Sequence, residues 1–175
     1  MQAVEPRVAR VFLKCYARRR LDDYRSPYSD PFEYRSILDF KPIEIDRILS
    51  AVGGSRGPTL LELHAGEAYD PRHWFISMLD DEPAGVVFPQ IYEDVGDLGS
   101  IFHVGILPKF QGLGYGKIIH AHGLESLRAL GAKKYVGSTP PDNIPMQRVF
   151  RANGCEIYAV YLIEEFENGT GRALT

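Results

Sequence analysis

The residues in this sequence best suited to chemistry are Phe110-Gln111-Gly112-Leu113-Gly114-Tyr115-Gly116-Lys117. Glycines let main-chain N–H groups approach a ligand with no Cβ in the way. The run lies between an extended apolar stretch and a helical one. The start of that helix adds unpaired donors and partial positive charge. In physical terms this is a cradle for a pyrophosphate. It lacks the Gly-Lys-Ser/Thr ending of a P-loop, because Ile118 follows Lys117. It also lacks the GxGxxG spacing of a dinucleotide fold. Lys109 and Lys117 flank the run, as cations near phosphate or as ordinary surface lysines.

Titratable side chains nearby are few. His103 lies on the strand that leads to the loop. Strict alternation turns it away from Ser100, Phe102, Val104 and Ile106, and a β-bulge would reverse this. Glu93, Asp94 and Asp97 precede that strand and could attract a cationic ligand, or form a solvated loop. His120 and His122 stand two apart on a helix, face apart, and make no metal pair. His64, His73 and Trp74 could line a pocket, but their spacing does not require it.

Positioning these residues takes an alternating series of strands and helices. Residues 6–25 read as an amphipathic helix, with Val8, Val11, Phe12, Cys15 and Tyr16 at helical spacing. A turn-rich break follows at 26–31. Strands are expected at 32–40, 73–79, 85–92, 100–107, 134–138 and 156–166, the last being long and final. Helices are expected at 42–52, 117–130 and 143–152, with Gly131 capping the second. Residues 59–65 read equally as a short helix or a buried strand. This order implies an α/β sheet of mixed strand directions.

Composition narrows the function classes. The chain has 175 residues and a net charge of −3, which suits one soluble domain and argues against a protein that coats nucleic acid. The basic Arg18-Arg19-Arg20 is diluted at once by Asp22 and Asp23. No apolar run approaches the ~20 residues of a membrane span, and residues 1–10 lack a signal-peptide pattern. A cytoplasmic protein with no membrane, nucleic-acid or metal partner is therefore expected. Cys15 and Cys155 stand far apart, outside any CxxC array, and fit buried reduced thiols. Asn168-Gly169-Thr170 matches a glycosylation acceptor but has no secretory context.

The stretch from Ile106 through Leu107, Pro108, Lys109 and Phe110 to Gly116 resembles the signature of the GNAT superfamily of N-acetyltransferases. There a strand ending in hydrophobic-x-Pro is followed by Gln/Arg-x-x-Gly-x-Gly/Ala, matched here by Gln111, Gly114 and Gly116. The stretch from Asn143 through Met146, Val149 and Phe150 to Gly154 resembles the family's second motif, an Asn-led helix. One helix and one strand separate the two motifs, as in the family. The resemblance covers residues 32–166 and is strongest over 99–154. It implies a mixed, centrally splayed sheet flanked by helices, a domain at 32–175, and an added helical extension at 1–31.

The resemblance further implies transfer of an acetyl group from acetyl-CoA to a primary amine of a small molecule or peptide. Gln111, Gly112, Leu113, Gly114, Tyr115, Gly116 and Lys117 would hold the coenzyme A pyrophosphate. The main chain of Val104, Gly105 and Ile106 would bond the pantetheine arm, and an N–H near Val104 would stabilise the oxyanion. Asn143 would contact the pantetheine or the adenosine side. The family's tyrosine acid is replaced by Phe150, and its Gly-aromatic ending by Gly154-Cys155. Tyr158, Cys155 or a water are the candidate acids, and His103 is the candidate base. Phe150→Tyr is expected to leave the fold intact. An acyl-CoA-binding sensor without turnover is the alternative function. The long last strand presents an edge that either the N-terminal segment or a second subunit would cover.

Overall fold

The computed structural model describes residues 8–53, 70–92, 97–166 and 171–174. The segment 59–65, His64, Glu93, Asp94 and the triplet Asn168-Gly169-Thr170 lie outside them. The strands are β1 (Val8–Arg20), β2 (Glu33–Ser36), β3 (Phe75–Leu79), β4 (Glu82–Ile91), β5 (Leu98–Ile106), β6 (Lys134–Thr139), β7 (Glu156–Phe166) and β8 (Gly171–Leu174). The helices are α1 (Pro42–Gly53), α2 (Tyr115–Ala129) and α3 (Ile144–Ala152). The chain divides into two units, Arg19–Val136 and Met1–Arg18 with Gly137–Thr175.

In the unit Arg19–Val136 the strands run β2-β3-β4-β5-β6, antiparallel up to β5 and parallel between β5 and β6. The β3–β4 hairpin closes through Asp80 and Asp81, with φ of 49° and 63°. Two left-handed residues make a turn whose twist matches the strands, and aspartate tolerates that region better than most. Helix α1 covers one face of the sheet, packing Ile45, Ile48 and Leu49 against Trp74, Ile76, Val86 and Phe88. Helix α2 covers the other face. It approaches closely at Gly123, where a Cβ would lie 2.6 Å from Ile101 Cδ1. That contact puts Ile101 on the α2 face.

The second unit is a three-stranded antiparallel array, β1-β7-β8, with α3 packed on β7. Leu13 pairs with Leu162 and Cys15 with Val160. Both cysteines are free and buried, as their spacing predicts. Among the described residues no helix is long and apolar enough to cross a membrane.

Three expectations are corrected. The N-terminal segment is the strand β1, not a helical extension. Its apolar residues fit helical spacing by coincidence, while pairing along β7 decides the conformation. That partner lies about 140 to 160 residues downstream, so no local pattern announces it. The strand expected over 32–40 ends at Ser36. The Ser36 hydroxyl accepts from the Leu38 N–H and opens a 3-10 turn over Ile37–Asp39. Finally, β7 is not last. β8 pairs with it along one edge and the N-terminal segment along the other.

Candidate functional site

The glycine run leaves β5 through a 3-10 turn, Pro108–Phe110. The Gln111 amide Nε2 donates to the Ile106 carbonyl at 3.0 Å, which ties the loop back to the strand end. The Gln111 N–H is itself taken by the Pro108 carbonyl. Beyond it Gly112 and Gly114 take left-handed φ of +77° and +79°, and Gly114 caps α2 with no side chain to fill the cap. Such a backbone turns successive N–H groups inward as an anion-binding nest. Among the described residues the N–H groups of Gly112, Leu113 and Gly114 have no partner. The first N–H groups of α2, at Tyr115 and Gly116, have no acceptor within the helix. A Cβ on Gly112 would meet nothing within 4 Å, so space as well as donors is provided. The chemistry and the room both fit a pyrophosphate. Lys109 pairs with Glu82, whereas Lys117 lies in the first turn of α2 with its Nζ 5.0 Å from the Tyr28 ring centre.

Strand β5 is paired with β4 from Gly99 to Ile106 along one edge. On its other edge the parallel pairing with β6 covers only Leu98 and Gly99. Among the described residues of this unit, residues 100–106 have no strand on that edge. On that edge the main-chain groups of Val104 and the N–H of Ile106 are left without a strand partner, while the Ile106 carbonyl is held by Gln111. This is the splay expected of the sheet.

The register between β4 and β5 slips at one point. Phe88 pairs with His103 but Pro89 with Ile101, leaving Phe102 as the extra residue of a bulge. Pro89 has no N–H to give the ladder, which is a physical reason for the slip here. The bulge sets Ser100, opposite Gln90, and His103, opposite Phe88, on the same face. That is the α1 face, where Gly105 approaches Val52 so closely that a Cβ would lie 2.1 Å from Val52 Cγ1. Phe102 stacks on Trp74 at 5.8 Å and 6°, and Trp74 on Phe88 at 4.7 Å and 9°. The His103 ring lies 5.9 Å from Phe88. Its Nε2 is buried with no hydrogen-bond partner among the described residues, and so is the Oε1 of Gln90. Burial pushes the His103 imidazole below its ordinary pKa, so it is neutral near pH 7 with a lone pair to offer.

A loop of this form joined to a splayed strand edge can be compared with known proteins. The profile of the acetyltransferase (GNAT) family matches residues 22–155. The chain belongs to this family. A mycothiol acetyltransferase of Thermomonospora curvata is 30% identical over 105 residues, 58% of this chain and 35% of that protein. The chain thus spans about a third of the length of the curated relatives it matches. The GCN5-related N-acetyltransferase from Sphaerobacter thermophilus superposes with a TM-score of 0.67 at 16% identity, over 95% of this chain and 53% of that one. A GNAT-family acetyltransferase from Colwellia psychrerythraea gives 0.68 at 11% identity, over 89% and 56%. At those identities the likeness is one of fold.

The other residues named from the GNAT motifs lie in the second unit. Asn143 caps α3, its Oδ1 accepting from the Met146 N–H at 3.1 Å. Phe150 is 1% exposed, a core side chain of α3. A tyrosine hydroxyl there would be buried and would need a partner, so Phe150→Tyr carries a folding cost that the sequence did not signal. Cys155 is likewise buried. Tyr158 is the extra residue of a bulge in β7, because Tyr16 pairs with Ala159 and Ala17 with Ile157. It is 38% exposed, with the Arg18 guanidinium 4.8 Å over its ring. Gln90, Phe88 and Phe102 are the site residues that sequence reasoning missed, whereas Trp74 was already among its pocket candidates. Only the bulge-forming Pro89 hinted at them.

His120 and His122 do face apart. His122 stacks on Tyr34 at 3.4 Å, whereas His120 is fully buried with its Nε2 3.0 Å from the Tyr135 hydroxyl. Among the described residues no group of three or more side chains could hold a metal ion. Burial lowers the His120 pKa to about 3. The folded state therefore resists a proton that the unfolded chain accepts below about pH 6.5. His120 contributes full stability above that pH and progressively less as pH falls toward 3. Between pH 7 and 4.5 the loss is expected to be about 2–3 kcal/mol. Urea unfolding of the wild type and of His120→Gln at both pH values checks this. An equal loss in the variant would rule His120 out as the source.

Proposed function

We propose that this protein moves an acetyl group directly from acetyl-CoA to a primary amine. The observation that carries the reading is the continuity of two features, the nest at residues 112–116 and the unpaired edge of β5 that leads into it. Gly112, Leu113 and Gly114, with the first turn of α2, would hold the pyrophosphate through main-chain donors. Val104, Gly105 and Ile106 would bond the pantetheine arm as a partial strand. Acetyl-CoA, when bound, supplies the activated acetyl group. An alkyl amine is mostly protonated at neutral pH, and the neutral imidazole of His103 is suited to take that proton. An N–H near Val104 would stabilise charge that develops on the carbonyl oxygen. Tyr158, in the second unit, is the candidate proton donor. Asn143 keeps its amide nitrogen for a ligand while its oxygen caps α3.

The test is thermal unfolding with and without millimolar acetyl-CoA. A ligand that binds only the folded state stabilises it by about 2.7 kcal/mol at a hundredfold excess over Kd. A clear upward shift in Tm is expected, and no shift would remove the cofactor site and the enzyme reading with it. One observation favours a second reading, an acyl-CoA sensor. The position that the family motif gives to an acid is the buried, protonless Phe150. Release of free thiol with any amine would exclude the sensor.

A further inference from the structure

A regular strand turns consecutive side chains to opposite faces. The bulge in β5 breaks that rule and puts Phe102 and His103 together on the α1 face. Phe102 is 49% exposed although it is a large apolar ring. It is not a loose surface side chain. Behind it Trp74 and Phe88 are 1% and 0% exposed, and the three rings form one near-parallel stack. The buried pair therefore holds the half-exposed ring in place as a rigid apolar platform beside the imidazole.

We infer that the acceptor is a primary amine borne on an aromatic or bulky apolar group, with that group on the outer face of Phe102 and its nitrogen directed at His103. The inference deepens the acetyl-transfer reading and rests on the base role given there to His103. Offset stacking suits a second ring on Phe102, and a nearby ammonium also gains from a ring face. Gln90 adds a complementary acceptor. It is 7% exposed, its Oε1 has no partner among the described residues, and it is a diagonal cross-strand neighbour of His103 on the same face. Among the described residues the strands around these rings offer one hydroxyl, one amide and one imidazole, from Ser100, Gln90 and His103. That is a poor match for a polyhydroxylated amine, whose many hydroxyls would each need a partner once desolvated.

The experiment uses phenethylamine and glucosamine as probes, titrated calorimetrically with and without coenzyme A and then assayed with acetyl-CoA. Phenethylamine is expected to bind at least about tenfold more tightly than glucosamine. Phe102→Ala should raise its Kd and KM about tenfold, with kcat and coenzyme A affinity little changed. Phe102→Trp, which keeps a ring face, should restore both. Glucosamine binding as tightly as phenethylamine overturns the inference. So does an unchanged phenethylamine affinity in a folded Phe102→Ala. Phenethylamine that binds and responds to Phe102→Ala but is never acetylated overturns the acetyl-transfer reading and leaves the amine site standing.

Discussion

Gly114→Glu is expected to abolish acetyl-CoA binding. Two effects act together at this position. Gly114 holds φ of +79°, and a side chain there costs roughly 1–2 kcal/mol of backbone strain. The new carboxylate would also compete for the same N–H donors and repel an anionic ligand. Strain alone corresponds to about a tenfold loss, and like-charge repulsion brings the expected loss to a hundredfold or more. Gly114→Ala separates the contributions, since it adds the strain without the charge and should bind about tenfold more weakly than wild type. Calorimetry with acetyl-CoA reads both variants, and circular dichroism confirms that they are folded. Wild-type affinity in a folded Gly114→Glu would show that the nest is only a turn.

His103→Gln is expected to lower kcat by about a hundredfold or more while acetyl-CoA affinity stays unchanged, because a positioned general base typically contributes 10²–10⁴. Glutamine keeps a polar side chain of similar reach, so the fold should survive. The pH profile supplies the sign. Burial lowers the His103 pKa, so the base stays free to a lower pH than an exposed histidine would. The acid limb of kcat/KM should therefore lie below about pH 6.5 in the wild type and be absent from His103→Gln. A variant with full activity, or an identical acid limb, would move the base to another group.

Much of the frame around the candidate site was legible in local patterns. The helices at 42–52, 117–130 and 143–152 appear as α1, α2 and α3 within a few residues, because each carries an apolar face and a recognisable stop. Gly131 adopts φ of +98° just past α2, the conformation its C-terminal cap requires. Gln111, Gly114 and Gly116 stand where their motif placed them, between a strand end and a helix start. That much is local chemistry: glycine allows positive φ, and proline ends a strand.

What the local pattern could not carry was any feature that depends on a distant strand. Residues 8–16 have apolar spacing compatible with a helix, and pairing with the distant β7 made them a strand. Which way His103 faces was open in the sequence, because alternation gave one answer and a bulge the other. The register against Phe88 and Pro89 decided it, and the same slip brought Phe102 onto the Trp74 stack. The sequence by itself determined the glycine loop, the helices around it and the membership of a family. The tertiary structure decided which side chains share a face with the imidazole, because strand facing is set by cross-strand pairing and one slipped residue reverses it.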